Sequence, residues 1–364
     1  MMRSVGVEEE LLLVDSASGE PRALSAAVLA SASRVSHDTD EQGFEAELHR
    51  EQLEFATRPQ TSMTELWNEV RGWRREAAHH AERLGAAVAA LATSPLQVRP
   101  SISSEERYRW LLEQFGLTAQ EQLTCGCHVH VSVASDEEGV AVLDRIRPWL
   151  PVLLALSANS PFWQGKDSQY ASYRSRVWGR WPSAGPVEIF GSAERYHAQV
   201  EAMLGTGVLR DKGMVYFDAR LSHKYGTVEV RVADVCLAPS TTLLLAALTR
   251  GLVERAAQQW QDGEPPVPHG VGLLRLAAWR AGRSGMDGNL LHPLTMRPEP
   301  ADSVVQALLE HVRAALDDDD LALVREGLDE ISRSGTGARF QRELLRRTGS
   351  LRDVVVECAR RTAG

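Results

Sequence analysis

The stretch Val5-Gly-Val-Glu-Glu-Glu-Leu-Leu-Leu-Val14 sets three consecutive acids in the middle of an apolar run. Side chains alternate across a strand, so Glu8 and Glu10 share one face while Val7, Glu9 and Leu11 take the opposite one. Two carboxylates that close repel each other unless a cation sits between them. The pair therefore either points into bulk water or holds a metal. What the other strands carry decides between the two.

Gln122-Leu-Thr-Cys-Gly-Cys-His-Val-His-Val-Ser-Val133 alternates over its whole length. Cys125, Cys127, Val129, Val131 and Val133 make an apolar face, and Gly126, His128, His130 and Ser132 a polar one. Gly226-Thr-Val-Glu-Val-Arg-Val-Ala-Asp234 repeats the design, with Val228, Val230 and Val232 inward and Thr227, Glu229, Arg231 and Ala233 outward. The segment from Glu45 to Pro59 ends as a strand in which Leu53, Phe55 and Thr57 alternate against Gln52, Glu54 and Ala56. Glu47 and Glu54 have opposite parity, so only a bend or bulge brings both to one place. Met214 to Leu221 reads as a further strand, with Asp218 and Arg220 on one face.

A solvated sheet face normally mixes lysine, threonine, serine and glutamine. Here the outward positions are mainly glutamate, histidine and arginine, and the four stretches carrying Glu8 and Glu10, Glu54, His128 and His130, and Glu229 and Arg231 contain no lysine. Such residues are ligands for hard cations and clamps for anions. Several carboxylates in a partly dry cleft repel by a few kcal/mol each at an effective dielectric of about 20, so divalent ions or large pKa shifts must relieve them. Magnesium-bound nucleotide phosphate answers both needs, cation for the acids and anion for the arginines. The phosphate-loop patterns G-x-x-x-x-G-K-[ST] and G-x-G-x-x-G are absent, as is the zinc-protease pattern H-E-x-x-H. A nucleotide would be held by a sheet face and its metals.

Periodicity predicts helices over Ala23 to Val35, from the capping box Ser62-Met-Thr-Glu65 to about Leu91, and over Ser103 to Phe115 and Ser192 to Leu204. Glu138 to Ser157 is a helix that Pro148 kinks or breaks. From Ser240 onward helix formers dominate: Thr241 to Trp260, Gly270 to Arg280, Ala301 to Leu316, Leu321 to Ser332 and Leu351 to Arg361, with Asp317 to Asp320 as a solvated helix junction. The stretch from Ser157 to Pro182 mixes tryptophan, tyrosine and arginine with turn formers and reads as a long functional loop.

Among 364 residues, 43% are hydrophobic and 24% charged, which is enough to bury a large core. A formal net charge of -9 argues against nucleic-acid or anionic-membrane partners. Four cysteines, Cys125, Cys127, Cys236 and Cys358, are too few for a disulfide scaffold, and the first two fall on an apolar face with no thiol chemistry assigned. Without a signal peptide or membrane-spanning run, a cytoplasmic location is expected.

Five motifs in order, Val5 to Asp15, Gln52 to Thr57, Gly126 to Val131, Ser157 to Gly165 and Tyr225 to Arg231, resemble the carboxylate-amine ligases of the glutamate–cysteine ligase type 2 family. The resemblance implies an α+β fold of glutamine synthetase and guanido-kinase type, an antiparallel sheet cradle with helices packed on one face. It implies a single catalytic domain over 1–364, strand-rich to about residue 235 and helical from about 240. It further implies ATP and Mg2+ or Mn2+ as cofactors, and joining of a glutamate-like carboxylate to cysteine or another amine through an acyl phosphate. Glu8, Glu10, Glu47, Glu54, His128 and Glu229 would serve the metal, and Glu10, His128, His130 and Arg220 the nucleotide. Arg231, Glu54 and Arg174 would serve the reacting groups. Expected partners are small amino-acid substrates and ATP, with a homodimer as the assembly. A guanidino-type phosphotransferase and a non-catalytic nucleotide or amino-acid binder are the alternatives.

Overall fold

Val5–Asp15 forms β1, an interior strand of a seven-stranded sheet in which every pairing is antiparallel. The computed structural model describes residues 2–33 and 43–363. The other strands are β2 (Phe44–Ala46), β3 (Gln52–Ala56), β4 (Ala86–Ala89), β5 (Gly126–Ser132), β6 (Ala219–Leu221) and β7 (Thr227–Asp234). Their order is β2-β3-β1-β5-β7-β6, and β4 pairs with the end of β1 beyond β5. The expected α+β class, an antiparallel sheet with helices against it, is what the chain adopts.

Parity sorts β1 as the sequence requires. Val5, Val7, Cys127, Val129, Val131, Val228 and Val230 form one face and pack in a single core with Leu66 and Val70 of α1 (Met63–Glu82) and Leu243 to Leu248 of α2 (Pro239–Gln261). Glu9 enters this face fully buried. Nε and NH2 of Arg74 donate to its two oxygens at 2.7 and 2.8 Å, and the Thr242 hydroxyl donates at 2.6 Å. A buried acid held by a bidentate arginine is a fastening between sheet and helices. Past Glu10 the strand is apolar on both sides, and Leu11 to Val14 join a second core with β4 and the last helix, Leu351–Ala363.

Several elements depart from expectation. The acid-rich segment is a hairpin, because residues 47–51 turn between β2 and β3 and pair Glu45 with Glu54. This is the bend that the opposed parity of Glu47 and Glu54 demanded. The long helix stops at Glu82; Gly85, at φ +68°, turns the chain into β4, whose alanines carry no strand signature. The first short helix covers Ser25–Ala32, while Val35 lies outside the described residues. Pro148 does break its helix, giving Asp136–Ile146 and Leu150–Ser157. Of the expected strand from Met214, only Ala219–Leu221 joins the sheet; Phe217 makes an isolated bridge to Gly185, and Lys212–Met214 is a single tight turn. A helix at Gly337–Thr348 went unread; its buried stripe is only Ala338, Gln341 and Leu344.

The acidic run is not simply solvated. Asp317 caps Asp318–Ser334 by accepting from Asp320 N at 2.8 Å, and Asp320 is buried against Arg250. The stretch from Ser157 to Pro182 is also less open than a free loop. It contains a two-stranded ribbon, Phe162–Trp163 with Lys166–Asp167, and the short helix Arg174–Trp178. Among the described residues no helix is long and apolar enough to cross a membrane.

Candidate active site

On the face of the sheet opposite the helices, cross-strand register lines up the charged residues. Glu45 pairs with Glu54, and Glu54 with Glu10. Two residues along β1, Glu8 pairs with His128; two further along β5, His130 pairs with Glu229, which faces Arg220. The charged side chains thus run obliquely across six strands, one or two from each. They floor a cavity of about 230 Å³ lined by every sequence-expected site residue except Arg174.

The row has two electrostatic halves. In the first, Glu10, Glu47 and Glu54 converge. Burial raises Glu54 well above the usual carboxylate range, and the charge and hydrogen bond of Glu47 add to it. Burial and the charge of Glu47 push Glu10 up to about 7, even though Gly126 N donates to its Oε2 at 2.6 Å and Arg174 and Arg231 oppose the shift. In the second half the acids already have partners. Glu8 lies between two imidazoles, 3.1 Å from His128 Nδ1 and 3.2 Å from His130 Nε2, and these outweigh its burial to hold it well below the ordinary range. Glu229 accepts from Arg220 Nε and NH2 at 2.7 and 3.1 Å and from Arg231 NH1, and despite burial its carboxyl is held low by the two guanidiniums.

His128 is pushed down to about 4 by burial and the nearby Arg231, so its ring is neutral near pH 7 and able to ligate. Among the described residues its buried Nε2 has no hydrogen-bond partner. One ligand atom each from Glu8, His128 and Glu229 lie within 4.8 Å of one another. Two carboxylates, an imidazole with a free nitrogen and a neighbouring trio of repelling acids fit a divalent cation. For Glu229 to ligate, it must share its oxygens with the two arginines.

Arg174 borders the row at Gly126 and Glu10 but does not line the acidic cavity. It lies 5.3 Å from the Trp178 ring centroid, with NH2 packed where a side chain on Gly126 would be, and lines a neighbouring cavity. Trp178 and Trp181 line both cavities. Asp218 and Arg220, expected on one face, are divided by this wall: Asp218 lines the neighbouring cavity, Arg220 the acidic one.

Sequence reading missed the rest of the lining. Arg107, Tyr108, Tyr216, Lys224 and Tyr225 close over the sheet from a helix and from turns, where alternation gives no signal. It also missed Asp234, which is fully buried and accepts from Asn159 N at 2.8 Å and from the hydroxyls of Ser160 and Ser172 at 2.7 and 2.8 Å. Asn159 in turn donates to Ala90 O and Val235 O, both at 2.8 Å. The stretch beginning Ser157-Ala-Asn-Ser is therefore a fastening that holds the Arg174 helix to the sheet. Cys125 and Cys127 are buried thiols raised well above their ordinary range by desolvation.

The model of glutamate-cysteine ligase family 2 matches residues 4–357. The chain belongs to this family. A relative from Streptomyces avermitilis, called a glutamate–cysteine ligase 2-1 in a name that marks the assignment as provisional, is 66% identical over all of both chains. Two solved structures share the fold: a glutamate–cysteine ligase from Francisella tularensis in complex with AMP (TM-score 0.72, 12% identity, covering 100% of this chain and 88% of that one), and a bifunctional glutathione synthetase from Pasteurella multocida (TM-score 0.71, 14% identity, covering 99% and 52%). At those identities the likeness is one of fold alone.

Proposed function

We infer that this family 2 member is an ATP-dependent carboxylate-amine ligase that joins an amino-acid carboxylate to an amine. The observation that carries the reading is the oblique row itself, in which Glu8, His128 and Glu229 come within 4.8 Å on a face shared with Glu10, Glu47, Glu54 and Arg231. That face has both the cation ligands and the arginines that a metal-bound triphosphate requires. The relative from Streptomyces avermitilis bears a glutamate–cysteine ligase name, and the Francisella tularensis neighbour carries AMP, which agrees with glutamate, cysteine and ATP as reactants.

In this reading Glu8, His128 and Glu229 hold one Mg2+ or Mn2+, and Glu10, Glu47 and Glu54 offer ligands for further metal on the nucleotide. When bound, such a cation supplies charge neutralisation and orientation for the phosphates. Arg231 and Arg220 draw the γ-phosphate and, as they engage it, loosen their hold on Glu229. The phosphoryl group passes to the substrate carboxylate, the amine attacks the resulting acyl phosphate, and phosphate leaves. Positioning and electrostatics do most of the work in such transfers. The glutamine synthetase and guanido-kinase architecture, one catalytic domain and a homodimer belong to the same reading.

The test is ADP release from Mg-ATP with amino acids supplied singly and in pairs, followed by mass analysis. Release that needs two substrates and yields an amide supports the ligase. A stable phosphorylated product would favour a guanidino-type phosphotransferase, and no ADP with any pair would favour a binding protein.

A further inference from the structure

The helix Val271–Ser284 is apolar on two opposite faces. At about 3.6 residues per turn Leu274, Ala277 and Ala281 share one side, and all three are buried against the body of the protein. Leu273, Leu276 and Trp279 share the other, where they are 44%, 58% and 38% exposed. A surface helix keeps its outer side polar, and one that is apolar all round is normally covered. None of the three outer side chains lines the acidic cavity or its neighbour, so this face is not an extension of the active site.

At the C-terminal end of the helix, Trp279 Nε1 donates to the Tyr170 hydroxyl at 3.2 Å, and the guanidiniums of Arg280 and Arg283 lie 5.9 and 5.6 Å from the ring centroids of Trp279 and Tyr170. An apolar centre rimmed by aromatic and arginine side chains has the composition of a protein interface. At the N-terminal end stands an exposed acid, Glu188, whose Oε1 accepts from Val271 N at 3.2 Å. Among the described residues neither Glu188 nor Arg280 has an ion-pair partner.

The opposite charges at the two ends choose the occupant. A partner of one charge would suit Arg280 or Glu188 and repel the other, and a parallel second copy would set each charge against its like. A two-fold axis through Leu276 turns the helix end for end. Leu276 then meets itself, Leu273 meets Trp279, and Glu188 meets Arg280, each contact occurring twice as a closed dimer requires.

We propose that the outer face of Val271–Ser284 is the homodimer interface, with a second copy of this chain packed antiparallel across Leu276. The proposal gives the homodimer of the ligase reading its surface, and rests on that reading for the assembly alone and not for the reaction.

Sedimentation velocity of the full chain at tens of micromolar tests this. The parent should sediment as a dimer. Leu276→Asp sets two carboxylates face to face across the axis and should weaken association at least tenfold; the position is exposed, so the far-ultraviolet circular dichroism should stay that of the parent. Glu188→Arg and Arg280→Glu should each weaken the dimer at least tenfold by placing like charges opposite one another. Both changes in one chain should restore the parental association, and an equimolar mixture of the two single variants should form a heterodimer. A monomeric parent would overturn both the interface and the homodimer. A dimer that survives Leu276→Asp, or charge variants that the double substitution fails to rescue, would overturn the interface while leaving the homodimer. Amide formation is read in the separate turnover assay, so failure here leaves the ligase standing, and a protein that makes no amide still gives a readable sedimentation result.

Discussion

Two glutamates on one sheet face answer to opposite physics. Glu54 is surrounded by acids and raised well above its ordinary range, so its charge in the metal-free protein is a strain, whereas Glu229 neutralises two arginines that are themselves buried. Glu54→Gln should therefore drop turnover by more than about 100-fold with the melting temperature unchanged or higher. Glu229→Gln should lose turnover and also stability, about 3 to 5 kcal/mol in denaturant unfolding, because it leaves buried cations unpaired. Equal melting temperatures for the two variants would refute the distinction. Glu9→Gln, on the helix face, should destabilise to a similar degree by breaking the Arg74 pair. Asp218 adds a pH dependence. Its folded pKa of about 7 lies above the unfolded value of about 3.9, so its contribution is fully present at acid pH and lost as pH rises through 7. Asp218→Asn should match the parent near pH 4 and be more stable at pH 8 in unfolding measured across that window.

At the scale of strands, what alternation could reveal was the facing of side chains. It put Glu8, Glu10, His128, His130 and Glu229 on the cavity side and Glu9 behind. It could not reveal irregularity: Cys127 pairs with Ala233 and Val129 with Val230, so Arg231 and Val232 together oppose His128 in a bulge. Beyond that extra residue the faces exchange, which carries Ala233, expected outward, into the core and leaves Asp234 to anchor the Ser157 stretch. Nor does a sequence pattern say that Arg220 and Arg231 meet at Glu229, since that contact depends on which strand is neighbour to which. The start of β5 shows how closely the site is built on this register. A methyl group on Gly126 would sit 2.3 Å from Arg174 NH2 and 3.2 Å from His128 Nε2, while Gly126 N donates to Glu10. Gly126→Ala must displace a buried arginine at the wall between the two cavities. Turnover should fall at least tenfold with the far-ultraviolet circular dichroism of the parent. Parental kcat/KM in this variant would mean that the Arg174 position does not matter to the reaction.

Taken as a whole, the molecule opposes two faces of one sheet. One is closed by helices and by the Glu9–Arg74 fastening, and the other concentrates Glu8, Glu10, Glu47 and Glu54 with too few cations beside the last three. A fold with this imbalance is more stable once a cation binds, because the ligand set exists only in the folded chain. At a free metal concentration about 100 times Kd, the gain is roughly 2.7 kcal/mol, which for a chain of this size is a rise of about 4 °C. Mg2+ or Mn2+ should therefore raise the melting temperature by a few degrees over a chelator control, without nucleotide or substrate present. Glu8→Gln keeps a hydrogen-bonding side chain between His128 and His130 but removes the charge at the three-residue cluster, so its metal-induced rise should shrink by at least half. An equal rise in parent and variant would move the cation away from Glu8, His128 and Glu229. The absence of any rise in the parent would leave the strained acids to be neutralised by protons instead of metal.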